Sequence, residues 1–315
     1  MHPAFSVIFF TTASGAGYGL LALLGVGNAL GLVPAPGWFG FWSLGIALVL
    51  ISGGLLASTA HLGHPERAWR AVTQVGSSWL SREGVAALAT FLPFAAFGIA
   101  WVFFGRTEGV WALPGLIAAL GAAITIFTTA MIYRSLKPIH QWHNAHVVPV
   151  YLTLALATGA LLLHALVQLW GHAQPIVGVF ALAATALAAW TKQRYWNFID
   201  TTKAPSSPES ATGLGAIGKV RMFEAPHQVE NYLMREMGFQ VARKHALKLR
   251  RIALAALFAI PMVLTLLALL APGPGAAIVA VLAALSAGLG VGVERWLFFA
   301  EAKHTVTLYY GATDV

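Results

Sequence analysis

Eight stretches of this sequence are apolar for long enough to cross a lipid bilayer, and that repeat decides what it can fold into. They run over roughly 6–31, 38–60, 84–105, 112–133, 147–170, 174–191, 251–271 and 275–298. Each is close to or above the ~20 residues that a helix needs to cross the hydrocarbon layer. The composition agrees: 58% of the 315 residues are hydrophobic and 10% are charged, where soluble domains carry roughly a quarter charged residues. A soluble α/β enzyme, a disordered polypeptide and a coiled coil are all excluded. The runs also lack strict alternation and are about twice as long as a barrel strand, which excludes a membrane β-barrel. The expected fold is all-α, a polytopic bundle of eight transmembrane helices. It divides into residues 1–191 with six helices, a polar loop over 192–250, and residues 251–315 with the last two helices and a tail.

Punctuation and packing signals fit this division. Pro34-Ala-Pro-Gly37 and Ala271-Pro-Gly-Pro-Gly275 read as turns. Trp38, Trp42, Trp111, Trp170, Trp190 and Trp296 fall near expected span ends, where indole rings anchor a helix to the interface. Gly15 and Gly19 form a small-xxx-small pair suited to close helix contact. The start, Met1-His-Pro-Ala-Phe5, places no basic segment ahead of its apolar run, so the first stretch reads as a retained helix. Cysteine is absent, which rules out thiolate-held iron–sulfur clusters, disulfides and Cys-based zinc sites within the protein.

The charges are placed asymmetrically. With eight spans, both termini and the loops 2–3, 4–5 and 6–7 share a side. Loop 2–3 carries Arg67, Arg70 and Arg82, and loop 4–5 carries Arg134 and Lys137. Loop 6–7 carries eleven basic residues from Lys192 to Arg251, and Arg295 and Lys303 lie at the final helix end and tail. Eighteen of the 19 Lys and Arg residues are thus on one side, and Arg106 alone is on the other. The positive-inside rule puts both termini in the cytoplasm. Loop 6–7 is too long for a passive connector. Its basic run from Val229 to Arg251 suits either a lipid surface or a docking platform for a cytoplasmic partner.

Several motifs bear on chemistry. Gly213-Leu-Gly215-Ala-Ile-Gly218 matches a dinucleotide fingerprint but follows a Ser/Pro-rich loop rather than a strand, so it reads as a turn. His140, His143 and His146 suggest metal by spacing. No carboxylate completes a ligand set, however, and the third ring rotates off the face of the first two, so an interfacial polar turn is expected. His164 lies within the fifth helix. Haem b would need a second histidine at its depth, and none stands there, so haem is possible but not favoured. Glu294 and Arg295, with Glu301 and His304 beyond, form an ionisable group at the basic face, open to reading as functional or as a structural ion pair.

The segment from Ala57 to Glu83 is more informative. His61 stands where the second helix meets the basic face and Glu83 where the third helix opens on the same face. A hairpin through the 61–83 loop can bring them together. An imidazole that titrates near neutrality and a partly desolvated carboxylate are what quinone chemistry requires: one hydrogen-bonds a carbonyl or hydroxyl, the other relays a proton. The alternative is a snorkelling histidine and a carboxylate favoured by a helix N-terminus.

Ser58-Thr-Ala-His61-Leu-Gly-His64-Pro-Glu-Arg67-Ala68, followed by Leu80-Ser-Arg-Glu83, resembles the membrane-anchor subunit family of dimethyl sulfoxide reductase. That family shows S-x-x-H-L-G-x-P-x-R-A and then L-S-x-E. Gly292-Val-Glu294-Arg295-Trp-Leu-Phe298-Phe is similar to its G-E-x-x-x-R-x-x-F-Y ending, with the arginine displaced. The stretch Ser135-Leu-Lys-Pro138-Ile-His-Gln-Trp142-His143-Asn144 and the long loop resemble a longer branch, that of the cytoplasmic-facing sulfite dehydrogenases.

The resemblance implies a cofactor-free anchor in the bacterial inner membrane. It would hold an iron–sulfur electron-transfer subunit and a molybdopterin catalytic subunit, and exchange electrons with ubiquinone or menaquinone. The family's histidine and glutamate fall on His61 and Glu83, and His64, Arg67 and Arg70 complete the candidate quinone-binding set. In the dimethyl sulfoxide branch the N-terminus lies outside, whereas the charge asymmetry here places it inside. The expected direction is therefore from sulfite to quinone; the alternative is a quinol-oxidising anchor of a dimethyl-sulfoxide-type reductase. A secondary transporter would show internal repeats and broken helices at midplane, and neither is evident.

Overall fold

The computed structural model describes residues 3–60, 62–224, 229, 231–237, 245–271 and 273–315. Among these residues, eight helices are long and apolar enough to cross a membrane. They are α1 (Phe5–Ala29), α2 (Gly37–Ala60), α3 (Trp79–Phe103), α4 (Gly109–Arg134), α5 (Val147–Leu169), α6 (Pro175–Thr201), α7 (Ala246–Leu270) and α8 (Pro274–Ala300). At 1.5 Å per residue each is about 35–40 Å long, enough to cross ~30 Å of hydrocarbon with a turn to spare. No strand occurs among the described residues. The all-α transmembrane fold expected from hydropathy is the fold observed.

The helices differ in how much of their surface the protein covers. α5 is the central element, enclosed by α1, α4, α6 and α8. Its side chains are almost continuously buried from Val147 to Val167, as expected for a helix that is apolar on every side. α2, α3, α4 and α7 bury one stripe each and turn Leu, Val, Ile and Phe side chains outward, where lipid satisfies them. Trp38, Trp42 and Trp111 lie exposed near span ends, as interfacial anchors should.

Lipid supplies no hydrophobic drive between helices, so close van der Waals packing must hold them. α1 and α5 meet at Gly19 and Gly159. A Cβ on Gly19 would fall on the Ala155 carbonyl, and one on Gly159 would meet the Gly19 backbone. Of the Gly15/Gly19 pair, only Gly19 sits in this crossing; Gly15 faces open space. Two widened π turns serve similar contacts. The turn Ile99–Phe103 closes α3 where Gly37 abuts the Val102 carbonyl. The turn Leu254–Ala259 lies just before Pro261, which cannot make the ordinary i−4 bond. There Gly290 of α8 packs on the Leu257 backbone, and Ser286 Oγ donates to the Ala256 carbonyl at 2.8 Å.

One face of the bundle is knitted together by its connections. Trp142 Nε1 donates to the Phe298 carbonyl at 2.9 Å, Lys303 N to Gln141 Oε1 at 3.1 Å, and Thr305 N to the Pro138 carbonyl at 3.1 Å. These bonds bind the α4–α5 turn to the end of α8 and the tail. Tyr309 Oη donates to the Ala211 carbonyl at 2.7 Å, and Asn231 Nδ2 to Tyr310 Oη at 3.0 Å, so part of loop 6–7 rests on the tail.

The three histidines of the α4–α5 turn take separate partners. His140 Nε2 pairs with Thr202 Oγ1 at 2.9 Å, His143 Nδ1 with the Arg134 carbonyl at 2.6 Å, and the His146 ring stands 5.4 Å from Phe198. They form the interfacial polar turn expected, and burial lowers the pKa of His140 and His146. Gly213 caps the short helix Pro208–Thr212 with φ 70°, so the G-x-G-x-x-G match lies in a turn. His164 is fully buried in α5, with neither ring nitrogen hydrogen-bonded among the described residues; its ring lies against Gly178 of α6.

Helix ends differ from the hydropathy boundaries at three places. α3 begins at Trp79 rather than 84, α6 continues to Thr201, and α7 begins at Ala246. In each case the extra turns carry polar or charged residues that hydropathy counts as loop but that the fold turns inward or pairs.

Candidate functional site

The opening of α3 is tied down on one side and aims a carboxylate inward on the other. Ser78 caps the helix by accepting from Ser81 N, and Ser81 Oγ accepts from Gln74 N at 2.9 Å. Arg82 donates to the Val75 and Gly76 carbonyls, each at 2.8 Å, and stacks 4.3 Å from the Trp79 ring. The next side chain, Glu83, points the other way and is 4% exposed. It lies about 6 Å below the helix start, inside the span. Thr129 Oγ1 of α4 donates to Glu83 Oε1 at 2.5 Å, and Tyr18 of α1 and Tyr133 of α4 lie within its electrostatic reach. Among the described residues Glu83 has no ion-pair partner.

The other candidate residues stand elsewhere. Residues 65–72 form an exposed 3-10 helix. His64 Nδ1 lies 3.0 Å from Glu66 Oε1, Arg67 Nε lies 3.8 Å from the same atom, and the Arg70 guanidinium sits 5.6 Å from the Trp69 ring. These three side chains engage partners within their own loop, outside the bundle. His61 lies outside the described residues.

A second buried group is only half visible in the sequence. Glu294 and Arg295 are joined at 2.5 Å through Oε2 and Nε, and Lys192 of α6 completes a triad with its Nζ 2.5 Å from Glu294 Oε1. All three side chains are within 2% of complete burial. Hydropathy assigns Lys192 to the loop because it follows an apolar run. A sign of its real place is that Lys192, Tyr195 and Trp196 share a helix face: its Nζ lies 4.1 Å and 4.8 Å from those rings. The Arg295 guanidinium stands 4.2 Å from the Tyr151 ring.

Between α1, α4, α5 and α8 lies a small polar cavity of about 20 Å³, lined by Thr11, Thr12, Tyr18, Thr129, Tyr151 and Arg295 among others. That is room for about one water. Thr12 Oγ1, the Tyr18 and Tyr151 hydroxyls and Arg295 Nη2 have no well-aligned hydrogen-bond partner among the described residues. At the knitted face, Arg250 holds two carboxylates. It donates to Asp200 at 2.7 and 3.1 Å and to Glu301 Oε1 at 2.7 Å. Burial raises the Glu301 pKa despite this partner. A cleft of about 550 Å³ opens over these groups, bordered by His140, Asp200, Arg250, Glu301 and Lys303.

The triad should behave as a buried ionic unit. Glu294→Ala leaves two cations in the bundle, and an uncompensated buried charge costs about 3–5 kcal/mol. Lys192→Met with Glu294→Gln leaves the single charge the triad already carries and should recover most of that loss. Thermal unfolding of the detergent-solubilised protein checks both; equal melting of wild type and Glu294→Ala would refute the unit.

Fold and site together define a polytopic membrane protein that carries ionisable side chains well inside its lipid-spanning layer. Residues 1–301 match the family described as DMSO reductase anchor subunit, and the protein belongs to that family. It is 32% identical to a sulfite dehydrogenase subunit of Allochromatium vinosum, over 98% of its own length and 99% of that relative's. Its identity to one polypeptide of the anaerobic dimethyl sulfoxide reductase of Escherichia coli is 28%, over 48% of its own length and 53% of the relative's. The corresponding polypeptide of Haemophilus influenzae is 32% identical over 32% of this protein and 36% of its own length. No solved structure matches.

Proposed function

We propose that this protein is the quinone-reducing membrane anchor of a sulfite-oxidising enzyme in the bacterial inner membrane. Its partners would be a molybdopterin subunit that oxidises sulfite and an iron–sulfur subunit that brings electrons to the anchor. Sulfite and water give sulfate, two protons and two electrons; quinone takes two electrons and two protons to become quinol. The sulfite branch is supported by likeness along essentially the whole length to a sulfite dehydrogenase subunit, against half or less for the dimethyl sulfoxide relatives.

The observation that carries the quinone role is Glu83. Glu294 and Glu301 each have a cationic partner, whereas Glu83 is buried as they are and, among the described residues, is met by the Thr129 hydroxyl alone. An unpaired carboxyl inside a membrane is costly and marks a functional group by default. In this reading Glu83 supplies a proton to the reduced quinone, and His61, which precedes it in the same sequence motif, bonds a quinone oxygen. His64, Arg67 and Arg70 border the approach from the loop. An isoprenoid tail would follow the lipid-facing apolar cleft of about 330 Å³ between α2 and α3, which begins near Phe91 and Phe94, about 12–16 Å along α3 from Glu83.

The basic face would lie in the cytoplasm, with both termini, by the charge asymmetry. The loop over 192–250 and the tail folded against it would then offer the docking surface for the iron–sulfur partner. The test is electron transfer by the purified complex from sulfite to decylubiquinone, with labelling of single cysteines introduced at the tail of this cysteine-free protein. Sulfite-dependent quinone reduction with a tail labelled only from the cytoplasmic side is the expected result. A tail reached from outside, with quinol driving sulfoxide reduction, would establish the dimethyl-sulfoxide-type reading instead.

A further inference from the structure

Resting on the reading of Glu83 as the proton donor to quinone, we infer that the bundle contains a built proton route. It would run from the cleft at the knitted face, through Glu301 and the Lys192–Glu294–Arg295 triad, across the polar cavity to Thr129 and Glu83.

Quinone reduction at Glu83 consumes two protons, and Glu83 is 4% exposed, so protons need an internal supply. The buried polar groups stand in order between two ends. At the outer end, Glu301 borders the aqueous cleft with one oxygen bonded to Arg250. Its other oxygen, Oε2, is buried without a hydrogen-bond partner among the described residues. Trp196 stands between this group and the triad: the Arg250 guanidinium lies 5.4 Å and Lys192 Nζ 4.8 Å from its ring. Glu301, in turn, acts electrostatically on both Lys192 and Tyr195.

The triad then crosses from α6 to α8, with Lys192 on Glu294 and Glu294 on Arg295. Arg295 lines the polar cavity, so the triad is continuous with it. Thr129 also lines the cavity, and its hydroxyl donates to Glu83. Carboxylates, an amine, hydroxyls and one water-sized space are the groups that pass protons within a low-dielectric interior. A purely structural ion pair explains neither the hydroxyl-lined cavity beyond Arg295 nor the partnerless oxygen of Glu301. Arginine keeps its proton, so Arg295 would hold Glu294 and orient water, with transfer through Glu294, Tyr151 and Thr129. Each turnover would move two protons inward along this route as two electrons arrive from the iron–sulfur partner, giving quinol.

The test uses the whole complex in inside-out membrane vesicles, with sulfite as donor and decylubiquinone as acceptor. Glu301→Gln should slow quinone reduction about tenfold, raise the solvent deuterium isotope effect and leave the KM for decylubiquinone unchanged, and Glu301→Asp should restore most of the rate. The charge-matched pair Lys192→Met with Glu294→Gln should be slower still while the complex stays assembled on size exclusion. Wild-type rates and isotope effects in Glu301→Gln and in the pair, with Glu83→Gln inactive, would overturn the route and leave the quinone site standing. A normal Glu83→Gln beside slow route variants would overturn the quinone site and leave a route to another acceptor.

Discussion

Glu83→Gln should lower sulfite-to-quinone turnover of the assembled complex by about a hundredfold or more, while oxidation of sulfite with an artificial dye should continue at the wild-type rate. The size follows from what a positioned acid or base contributes, about 10²–10⁴-fold. Glutamine keeps the volume and can still accept the Thr129 hydrogen bond, so helix packing is preserved and only the proton is lost. Thr129→Val should have a smaller effect, about tenfold, because it removes the last hydroxyl of the proton route and leaves the carboxyl. His61→Ala should resemble Glu83→Gln in its split between dye and quinone activity, since both act at the last step. The dye reaction bypasses the anchor, which makes it the control for assembly. A Glu83→Gln complex that reduces decylubiquinone at the wild-type rate would end the assignment of Glu83 as the proton donor.

The parts of this protein that hydropathy can report are legible in the sequence, and the parts that depend on which side of a helix a residue takes are not. All eight spans are readable because crossing a bilayer demands an unbroken apolar length that soluble helices do not show. Glu83 can be singled out, but as a charge at a helix opening. The structure starts α3 at Trp79 and places Glu83 a turn inside, bonded to Thr129. Ser78, Ser81 and Arg82 hide the helix start because they look like loop residues, and their role as cap and clamp shows only once the protein is folded.

Hydropathy misplaces Lys192 for a related reason. An averaged profile ends the sixth span where charges begin, yet a charge paired across helices can remain inside. Glu294 and Arg295 are visible as ionisable residues near a helix end, but the third member of their group lies on a helix about a hundred residues earlier, and no local pattern links the two. The same holds for the polar cavity. Thr11, Thr129 and Thr158 bond back to their own helices as ordinary membrane threonines do, and Thr12 has no hydrogen-bond partner among the described residues. That they face one another is a consequence of how closely α1 and α5 approach.

That approach sets the second large effect. Gly19→Leu or Gly159→Leu should abolish accumulation of the folded anchor in the membrane, and with it membrane attachment of any partner subunits. A β-carbon on Gly19 would overlap the Ala155 carbonyl, and one on Gly159 would overlap the Gly19 backbone. Both obstacles are backbone, which cannot rotate aside as a side chain would. The helices would have to separate, and dispersion contacts fall steeply over fractions of an ångström. In lipid no hydrophobic penalty pushes them back together. Because α5 is the buried centre of the bundle and α1 contacts α2, α4, α5 and α8, separation there also opens the cavity that Thr12, Tyr18, Thr129 and Arg295 line. A β-carbon on Gly15, on the same helix, meets nothing within 4 Å, so Gly15→Leu has no backbone to displace and should accumulate normally. Immunoblots of washed membranes for the three variants decide the matter: loss for Gly19→Leu and Gly159→Leu beside normal levels for Gly15→Leu is expected. Equal levels for all three would show that this crossing does not hold the bundle together.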